Sequence, residues 1–277
     1  MKHKIFFLLL LSIGLCGASF QKTEIEWKQL ETGLNYASVP LELKSNVGDS
    51  KVDILKIDPK YFKFELLSAG EKKSDNKKAD QWCKENNLLA VINAGMFKLD
   101  GDFKTCTGYM KNYGYVNNPT LNSSYKTIVA FNAKDSSVPA AQIIDLSCQN
   151  WELLKNKYNS FSQGIRMIDC QQINKWQLDQ KKWSMVVIGE DKTGNLLFIF
   201  VRSPYRVHDF VDQLLALPID LKRLMYLEGG PEASFYLQHP SLNLERCGSY
   251  ETGFNENDTN KRFWDIPNLI GIKRKNK

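Results

Sequence analysis

The chain has 277 residues, of which 43% are hydrophobic and 25% are charged, and its formal net charge is +6. This length and composition are typical of a globular protein with one substantial core or two small ones. The basic residues are scattered rather than grouped with aromatic side chains on one face, so no nucleic-acid partner is predicted. No stretch after the N-terminus reaches about 18 consecutive apolar residues, and no transmembrane segment is predicted.

The N-terminus has the pattern of an export signal. Lys2 and Lys4 precede an apolar run from Ile5 to Leu15, which is too short to span a bilayer as a helix. Small residues follow, so we expect a signal peptide over residues 1–19. Its removal takes away Lys2 and Lys4 and leaves a net charge of +4. We predict a periplasmic or secreted protein, with a lipoprotein anchored through Cys16 as the alternative fate.

The cysteines show no C-x-x-C spacing, so neither a zinc ribbon nor a thioredoxin-type site is predicted. Five of them follow the leader, namely Cys83, Cys106, Cys148, Cys170 and Cys247. In an oxidising compartment up to two disulfides can form and leave one thiol over, but several cysteines can equally be buried as small apolar residues. Because the mature chain has only His208 and His239 as histidines, we predict no metal site, and we predict no cofactor.

Patterns along the chain predict mainly strands. Residues 52–57 and 61–67 alternate apolar and polar side chains around Asp58-Pro59-Lys60, which predicts a hairpin. Further strands are predicted at 88–93, 127–133, 141–146, 185–189 and 196–201, and helical segments at 75–87, 151–158 and 207–217. We therefore predict an α+β fold with a mixed, strand-rich sheet core and a few flanking helices.

The most informative segment covers residues 223–237, with the sequence RLMYLEGGPEASFYL. A strand-like apolar run brings Glu228 into a Gly-Gly-Pro turn, and Glu232 and Ser234 follow before a second apolar run. Paired glycines let the backbone turn sharply and approach a ligand closely. Polar groups at the mouth of a buried strand often bind or catalyse. The alternative is a plain hairpin turn with solvated glutamates.

This segment resembles the D-G-G-G-S-type signature of the phosphodiester glycosidase family, which includes the lysosomal uncovering enzyme. Further blocks resemble other family elements and occur in family order: AVINAGMF at 90–97 with Gly108 after it, SQGIRMID at 162–169, a strand–turn–strand at 183–203 and a helix at 208–217. The resemblance covers roughly residues 88–238. It implies a phosphodiester glycosidase-like domain over 79–277, preceded by a strand-rich extension over 20–78.

The signature departs from the family pattern at two places. Glu228 stands where the family more commonly has Asp, and Pro231-Glu232-Ala233 replaces the usual third glycine and serine. The extra methylene of a glutamate moves its carboxylate by over an ångström relative to an aspartate. These departures indicate a distinct bacterial subgroup.

The resemblance implies cleavage of a sugar-1-phosphodiester at the anomeric carbon, through an oxocarbenium-like transition state. The leaving group is a phosphate monoester with a second pKa of about 6, so it needs little protonation near neutral pH. Glu228 is the expected carboxylate that activates water or stabilises the cationic sugar, Asn93 is expected to hold a hydroxyl or the water, and His208 to assist as a titrating group. The expected substrate-binding residues are Arg166 for the phosphate, together with Gly95, Gly229, Gly230, Glu232 and Ser234.

Each assignment has a structural alternative. Asn93 can end its strand in an ordinary turn, Arg166 can pair with Asp169, and His208 can cap the helix that follows. At the level of the whole protein, we predict a secreted hydrolase that cleaves an envelope or extracellular glycan phosphodiester. The alternative is a non-catalytic carbohydrate-binding or envelope-structural protein on the same scaffold. The geometric test is whether Asn93, Arg166, His208 and Glu228 converge on one pocket, and a separation of Glu228 from Asn93 would favour the binding alternative.

Overall fold

The computed structural model describes residues 24–275, so the predicted signal peptide and Cys16 lie outside the described residues. Strands account for 44% of the described part and helices for 11%. The predicted strand-rich core with a few flanking helices is confirmed, and the α+β label fits only loosely because the helices are few and short. None of the helices in this part of the chain is long and apolar enough to cross a membrane.

The elements follow one another along the chain without a long helical layer. The strands are β1 (Lys28–Glu31), β2 (Leu34–Pro40), β3 (Lys51–Ile57), β4 (Phe62–Ser68), β5 (Ala90–Asn93), β6 (Met110–Asn112), β7 (Tyr115–Asn118), β8 (Thr127–Ala133), β9 (Ala141–Asp145), β10 (Tyr158–Arg166), β11 (Trp183–Asp191), β12 (Leu196–Tyr205), β13 (Leu221–Gly229), β14 (Ser234–His239), β15 (Leu242–Cys247) and β16 (Asn268–Arg274). The helices are α1 (Ala69–Lys72), α2 (Ala79–Glu85), α3 (Trp151–Leu154) and α4 (Val207–Ala216), and Gly230–Glu232 form a 3₁₀ turn.

The strands form two antiparallel sheets. The larger sheet has the order β1-β2-β3-β12-β11-β13-β10-β6-β7, and β8 and β9 branch from β10. The smaller sheet has the order β15-β14-β5-β16-β4. Side chains alternate between the two faces of each strand, so each sheet buries one apolar face against the other sheet.

The main core lies between the two sheets. It contains Phe198 of the larger sheet packed with Phe64 and Phe235 of the smaller one. Helix α4 covers the outer face of the larger sheet with Phe210, and helix α2 covers the outer face of the smaller sheet with Trp82. The result is a sandwich of two sheets with one short helix on each outer face.

The hairpin predicted for residues 52–67 is wrong, although both of its strands exist. Strand β3 pairs with β2 and β12 in the larger sheet, whereas β4 pairs with β16 in the smaller sheet. The segment 58–60 therefore carries the chain from one sheet to the other. Both strands bury an apolar face in the same core, so their alternation is the same whether the connection turns within a sheet or crosses between sheets.

The segment predicted as an N-terminal extension supplies strands β1 to β4. Strands β1 to β3 form one end of the larger sheet, and β4 forms an edge of the smaller sheet. The extension is thus built into both sheets by backbone hydrogen bonds. The boundary at residues 78 and 79 stays a prediction.

One disulfide joins Cys148, after β9, to Cys170, after β10. Among the described residues Cys83 and Cys106 are buried free thiols and Cys247 is a partly buried one. A carboxylate oxygen of Asp145 lies within 4.8 Å of the two bridged sulfurs. Because both sulfurs are in the disulfide, they are not available as thiolate ligands. Two cysteines thus form a disulfide and the others are buried or partly buried thiols. Both possibilities were left open by the sequence.

Candidate active site

The signature segment crosses from one sheet to the other. Strand β13 of the larger sheet ends at Gly229, a 3₁₀ turn follows, and β14 of the smaller sheet begins at Ser234. Gly230 has a φ of +64°, a left-handed conformation that glycine adopts without a steric penalty. The crossover places Glu228 at the end of one sheet and Glu232 in the passage to the other.

A β-bulge in β13 immediately precedes Glu228. Val186 of β11 lies opposite Glu228, and Val187 lies opposite Tyr226, so Leu227 is the additional residue. Bulges re-aim side chains and are common beside active sites. Tyr226 and Glu228 line one cavity, while Leu227 packs into the core between the sheets.

This cavity has a volume of about 560 Å³. Its carboxylates are those of Glu228, Glu232 and Glu251. The other lining residues are mostly apolar or aromatic and come from five parts of the chain: Met96, Phe97, Leu99 and Thr107; Ile165; Trp176 and Trp183; Tyr226 and Gly229; and Phe254. A mostly apolar cavity of this size with a few convergent polar groups is typical of a site for a small molecule or a sugar.

The carboxyl group of Glu228 has an unusual protonation equilibrium. Glu228 remains partly exposed to the cavity, but protein atoms surround its carboxyl group. Burial, together with the nearby Glu232 and Glu251 carboxylates, raises the pKa of Glu228 to about 8, against the one hydrogen bond that the Gly229 N–H donates to its Oε1 at 3.1 Å. Near neutral pH this carboxyl group therefore exists in both the protonated and the ionised form.

The two other glutamates are shifted in the same direction. Burial and the nearby Glu251 carboxylate raise the pKa of Glu232 to about 7. Burial also raises the pKa of Glu251, although Lys181 opposes that change. The pKa of the Tyr226 hydroxyl is raised well above its usual value by burial and by the same carboxylates. Ionisable groups with such shifts in a cleft are a typical signature of a functional site.

A second cavity of about 550 Å³ adjoins the first. The two cavities share the lining residues Phe97, Leu99 and Glu232. The second cavity is also lined by Asp75, Asn76, Asp102, Phe103, Lys104, Trp264 and Asp265. Glu232 consequently lies at the junction between an aromatic cavity and a more polar one.

Asn93 lies at the end of β5, directly beneath the crossover. Its Nδ2 donates to the Glu232 carbonyl at 3.1 Å, and its Oδ1 accepts from the Ser234 N–H at 2.7 Å. The Ser234 hydroxyl donates to the same Glu232 carbonyl at 2.9 Å. Asn93 and Ser234 are both buried and hold the backbone that carries Glu232, whereas the sequence predicted direct contacts with substrate.

The glycines predicted to bind substrate make room for protein side chains. A Cβ on Gly229 would collide with the Tyr226 hydroxyl and lie 2.9 Å from Trp183, and a Cβ on Gly230 would collide with the Glu251 carboxylate. Gly95 has a φ of +149° and packs inside the protein, where its Cβ would lie 3.4 Å from the Cys106 Sγ. Among these glycines, only Gly229 lines the aromatic cavity.

Arg166 and His208 do not line either cavity. The neighbouring Ile165 faces the aromatic cavity, so Arg166 points to the opposite face of β10. There its Nη1 lies 3.3 Å from Asp145 and 2.8 Å from the Ser147 hydroxyl. The ion pair foreseen as its structural alternative therefore exists, but with Asp145 in place of Asp169.

His208 lies on α4, where its Nδ1 is 3.4 Å from Asp212. The structure thus brings Glu228, Glu232 and Gly229 together and places Asn93 directly behind them. It does not bring Arg166 or His208 to the same place. The predicted convergence of all four residues on one pocket is therefore not observed. Asn93 nevertheless stays beside the turn that carries Glu228, so the separation of these two residues that would favour the binding alternative is not observed either.

Several residues of the cavity were not predicted from the sequence. Tyr226 precedes Glu228 by two residues, and the period of a strand already places such residues on one face. Trp176, Glu251 and Phe254 come from irregular segments, where no periodic pattern indicates which side chains meet. No signal in the sequence identified these three.

The two-sheet scaffold thus carries clustered carboxylates in an aromatic-walled cavity, an arrangement typical of a site that binds a sugar or a small molecule. The sequence profile of the phosphodiester glycosidase family matches residues 86–273, and the chain belongs to this family. The resemblance of the sequence motifs is thereby confirmed. No curated protein sequence matches the chain.

Two solved structures share the fold. A hypothetical protein from Synechocystis superposes with a TM-score of 0.63 at 12% identity, over 91% of this chain and 64% of its own length. The catalytic domain of zebrafish N-acetylglucosamine-1-phosphodiester alpha-N-acetylglucosaminidase, auto-inhibited by its pro-peptide, superposes with a TM-score of 0.56 at 13% identity, over 90% of this chain and 87% of its own length. This chain therefore spans less than two thirds of the Synechocystis protein. At these identities the likeness concerns the fold.

The raised pKa of Glu228 predicts that Glu228→Gln stabilises the folded protein at alkaline pH. The folded form binds this proton more tightly than the unfolded form, so the wild type loses stability as pH rises from about 4.5 to about 8. The glutamine variant has no such loss and should be more stable by about 2–4 kcal/mol at pH 8. Urea unfolding at pH 5 and pH 8 measures the difference. The matched control is Glu245→Gln, on the exposed face of β15, and an equal gain at both pH values would contradict the prediction.

Proposed function

We propose that the protein is a hydrolase that cleaves the bond between the anomeric carbon of a sugar and a phosphodiester oxygen. The observation that carries this proposal is the cluster of Glu228, Glu232 and Glu251, whose pKa values are all raised, in the cavity formed at the family signature. Membership of the phosphodiester glycosidase family supports the same class of reaction. A purely structural turn gives no reason to bury three carboxylates together, because each costs desolvation energy.

In this proposal the aromatic cavity binds the sugar. The sugar ring packs against the apolar surfaces of Trp176, Trp183 and Phe254. The carboxylates accept hydrogen bonds from the sugar hydroxyls. Ionised Glu228 takes a proton from the attacking water as the water oxygen bonds to the anomeric carbon. The carbon–oxygen bond to phosphate breaks, and its electron pair leaves with the phosphomonoester.

The polar cavity takes the phosphate and the group beyond it. Lys104 is the one Lys, Arg or His side chain among the described residues that line the two cavities. We assign to Lys104 the phosphate contact that the sequence had predicted for Arg166. Glu232, at the junction of the cavities, then lies beside the scissile bond, where its carboxylate can accept a hydrogen bond from a sugar hydroxyl.

The remaining predicted residues act on the shape of the site. Asn93 and Ser234 hold the carbonyl and amide groups around Glu232. Gly229 and Gly230 leave the space that Tyr226 and Glu251 occupy. These residues position the glutamates and need no contact with substrate.

We also propose that the protein works outside the cytoplasm. The leader-like residues Lys2, Lys4 and 5–15 support export. The Cys148–Cys170 disulfide supports an oxidising compartment. An envelope or extracellular glycan phosphodiester is the substrate class that such a location offers.

The test is to incubate purified mature protein with a panel of sugar-1-phosphodiesters that differ in the sugar and in the group beyond the phosphate. We expect free sugar and a phosphomonoester from at least one of them, and Glu228→Gln serves as the inactive control. Binding of a sugar phosphodiester without turnover by the wild type would instead favour the carbohydrate-binding alternative.

The assignment of Lys104 predicts a defect in substrate binding. Lys104→Met removes the positive charge but keeps an unbranched apolar side chain, so KM should rise about tenfold, which is the size of one charge-assisted hydrogen bond. The turnover number should change much less. The matched control is Lys98→Met, since Lys98 belongs to the same segment and is exposed outside both cavities. Equal KM values in the two variants would contradict the assignment.

A further inference from the structure

The segment from Gly248 to Asn260, between β15 and β16, forms one wall of the aromatic cavity. It contributes Glu251 and Phe254 to the lining. The segment contains turns and isolated bridges but no helix or strand. Backbone hydrogen bonds tie residues 250 and 252 to β11 and its approach, from the Ser184 N–H to the Tyr250 carbonyl at 2.9 Å and from the Thr252 N–H to the Lys182 carbonyl at 3.0 Å. The rest of its shape depends largely on hydrogen bonds made by side chains.

A single guanidinium group joins the two ends of this wall. Arg202, on β12, donates from Nη1 to the Cys247 carbonyl at 2.6 Å and from Nη2 to the Asn260 carbonyl at 2.8 Å. Its Nε lies 2.7 Å from the Asp258 carboxylate. The guanidinium thus binds the residue that enters the segment and two residues near its far end.

A serine of β11 fixes the beginning of the segment. The Ser184 hydroxyl accepts from the Ser249 N–H at 3.0 Å and from the Tyr250 N–H at 3.2 Å, and donates to the Arg202 carbonyl at 2.6 Å. The next residue along the chain is Glu251, whose carboxylate packs against Gly230 of the signature turn. Ser184 thus holds the two residues that precede Glu251, and Arg202 ties the entry of the segment to its far end.

We propose that Arg202 is a positioning residue, which holds the 248–260 segment so that Glu251 completes the glutamate cluster and Phe254 closes the cavity. This inference rests on the proposed function for its effect on catalysis. Arginine suits the task because its planar group presents five donors in fixed directions. A lysine can keep the ion pair with Asp258 but cannot reach both carbonyl groups and the carboxylate at once.

The first experiment is hydrogen exchange on the substrate-free protein. Arg202→Lys should raise exchange by at least tenfold at amides of residues 248–260 and leave the strands of both sheets unchanged. Arg206→Lys is the matched control, because Arg206 is similarly exposed and binds the Asp209 carboxylate on α4. Unchanged exchange at 248–260 in Arg202→Lys would overturn the proposal, whether or not the protein hydrolyses a sugar phosphodiester.

The second experiment is a double-mutant cycle in the hydrolysis assay. Arg202→Lys should lower kcat/KM about tenfold, and Arg206→Lys should leave it unchanged. In a Glu251→Gln background, Arg202→Lys should cost less than threefold, because the group that it positions is already neutral. Full additivity of the two changes would overturn the link between Arg202 and Glu251. If the wild type cleaves no member of the panel, the proposed function fails and the exchange result alone decides the role of Arg202.

Discussion

Glu228→Gln should reduce kcat by about a thousandfold while changing KM little, because the variant loses the group that accepts a proton in the transition state. The side chain keeps its size, and its amide oxygen can still accept from the Gly229 N–H. The fold and sugar binding should therefore be retained. The measurement is steady-state hydrolysis of the best sugar-1-phosphodiester, together with binding of the free sugar.

Glu245→Gln, on the exposed face of β15, controls for the loss of one carboxylate and should keep wild-type turnover. Near wild-type turnover in Glu228→Gln would remove Glu228 from the chemistry and direct attention to Glu232. Asp209 offers no alternative base, because its carboxylate is bound to Arg206 at 2.7 Å and lines neither cavity.

Activity should rise with pH through a midpoint near pH 8 and level off above about pH 9, since in the proposed mechanism Glu228 acts in its ionised form and its pKa is about 8. At higher pH no fall is expected, because a phosphate leaving group needs little protonation. Glu232→Gln removes a negative charge whose field raises the pKa of Glu228. In the pH profile of kcat, the rising part of the variant's curve should therefore lie at lower pH than that of the wild type, by roughly one unit.

The measurement is the pH profile of kcat for the wild type and Glu232→Gln, with Glu245→Gln as the control. Because the glutamates interact, the rising part of the profile reports an apparent pKa of the cluster. At pH 6 the variant should run at a larger fraction of its own maximal rate than the wild type does. A limb that stays in place or moves to higher pH would contradict the assignment of Glu228 as the titrating base.

The strands and the signature could be predicted from the sequence because the patterns that indicate them are local. The hairpin of β11 and β12 and helix α4 follow from apolar periodicity and from a turn or a proline at the end of the element. Glu228 and Glu232 were accessible because glycines and a proline mark their turn. The connection from β3 to β4 was mispredicted, because alternation shows which side of a strand is buried but not which sheet it joins.

The residues that make up the site were harder to predict from the sequence, because their positions depend on tertiary contacts. Glu251 reaches the cluster only through an irregular segment held by Arg202, and neither position has a pattern of its own. Arg166 directly follows Ile165, which lines the cavity. Because successive side chains of a strand point to opposite faces, Arg166 points away from the cavity and towards Asp145. Asn93 could be predicted as a site residue because it lies at the end of a strand. Its hydrogen bonds show that it supports the backbone around Glu232.

Hydrolysis in oxygen-18 water tests the central claim most directly, because it shows which bond the protein breaks. Attack of water at the anomeric carbon puts the label on the sugar and leaves the phosphomonoester unlabelled. Mass spectrometry of the two products after a single turnover distinguishes them. We predict label in the sugar alone, whereas label in the phosphomonoester would show cleavage of the phosphorus–oxygen bond and would contradict a phosphodiester glycosidase reaction at Glu228.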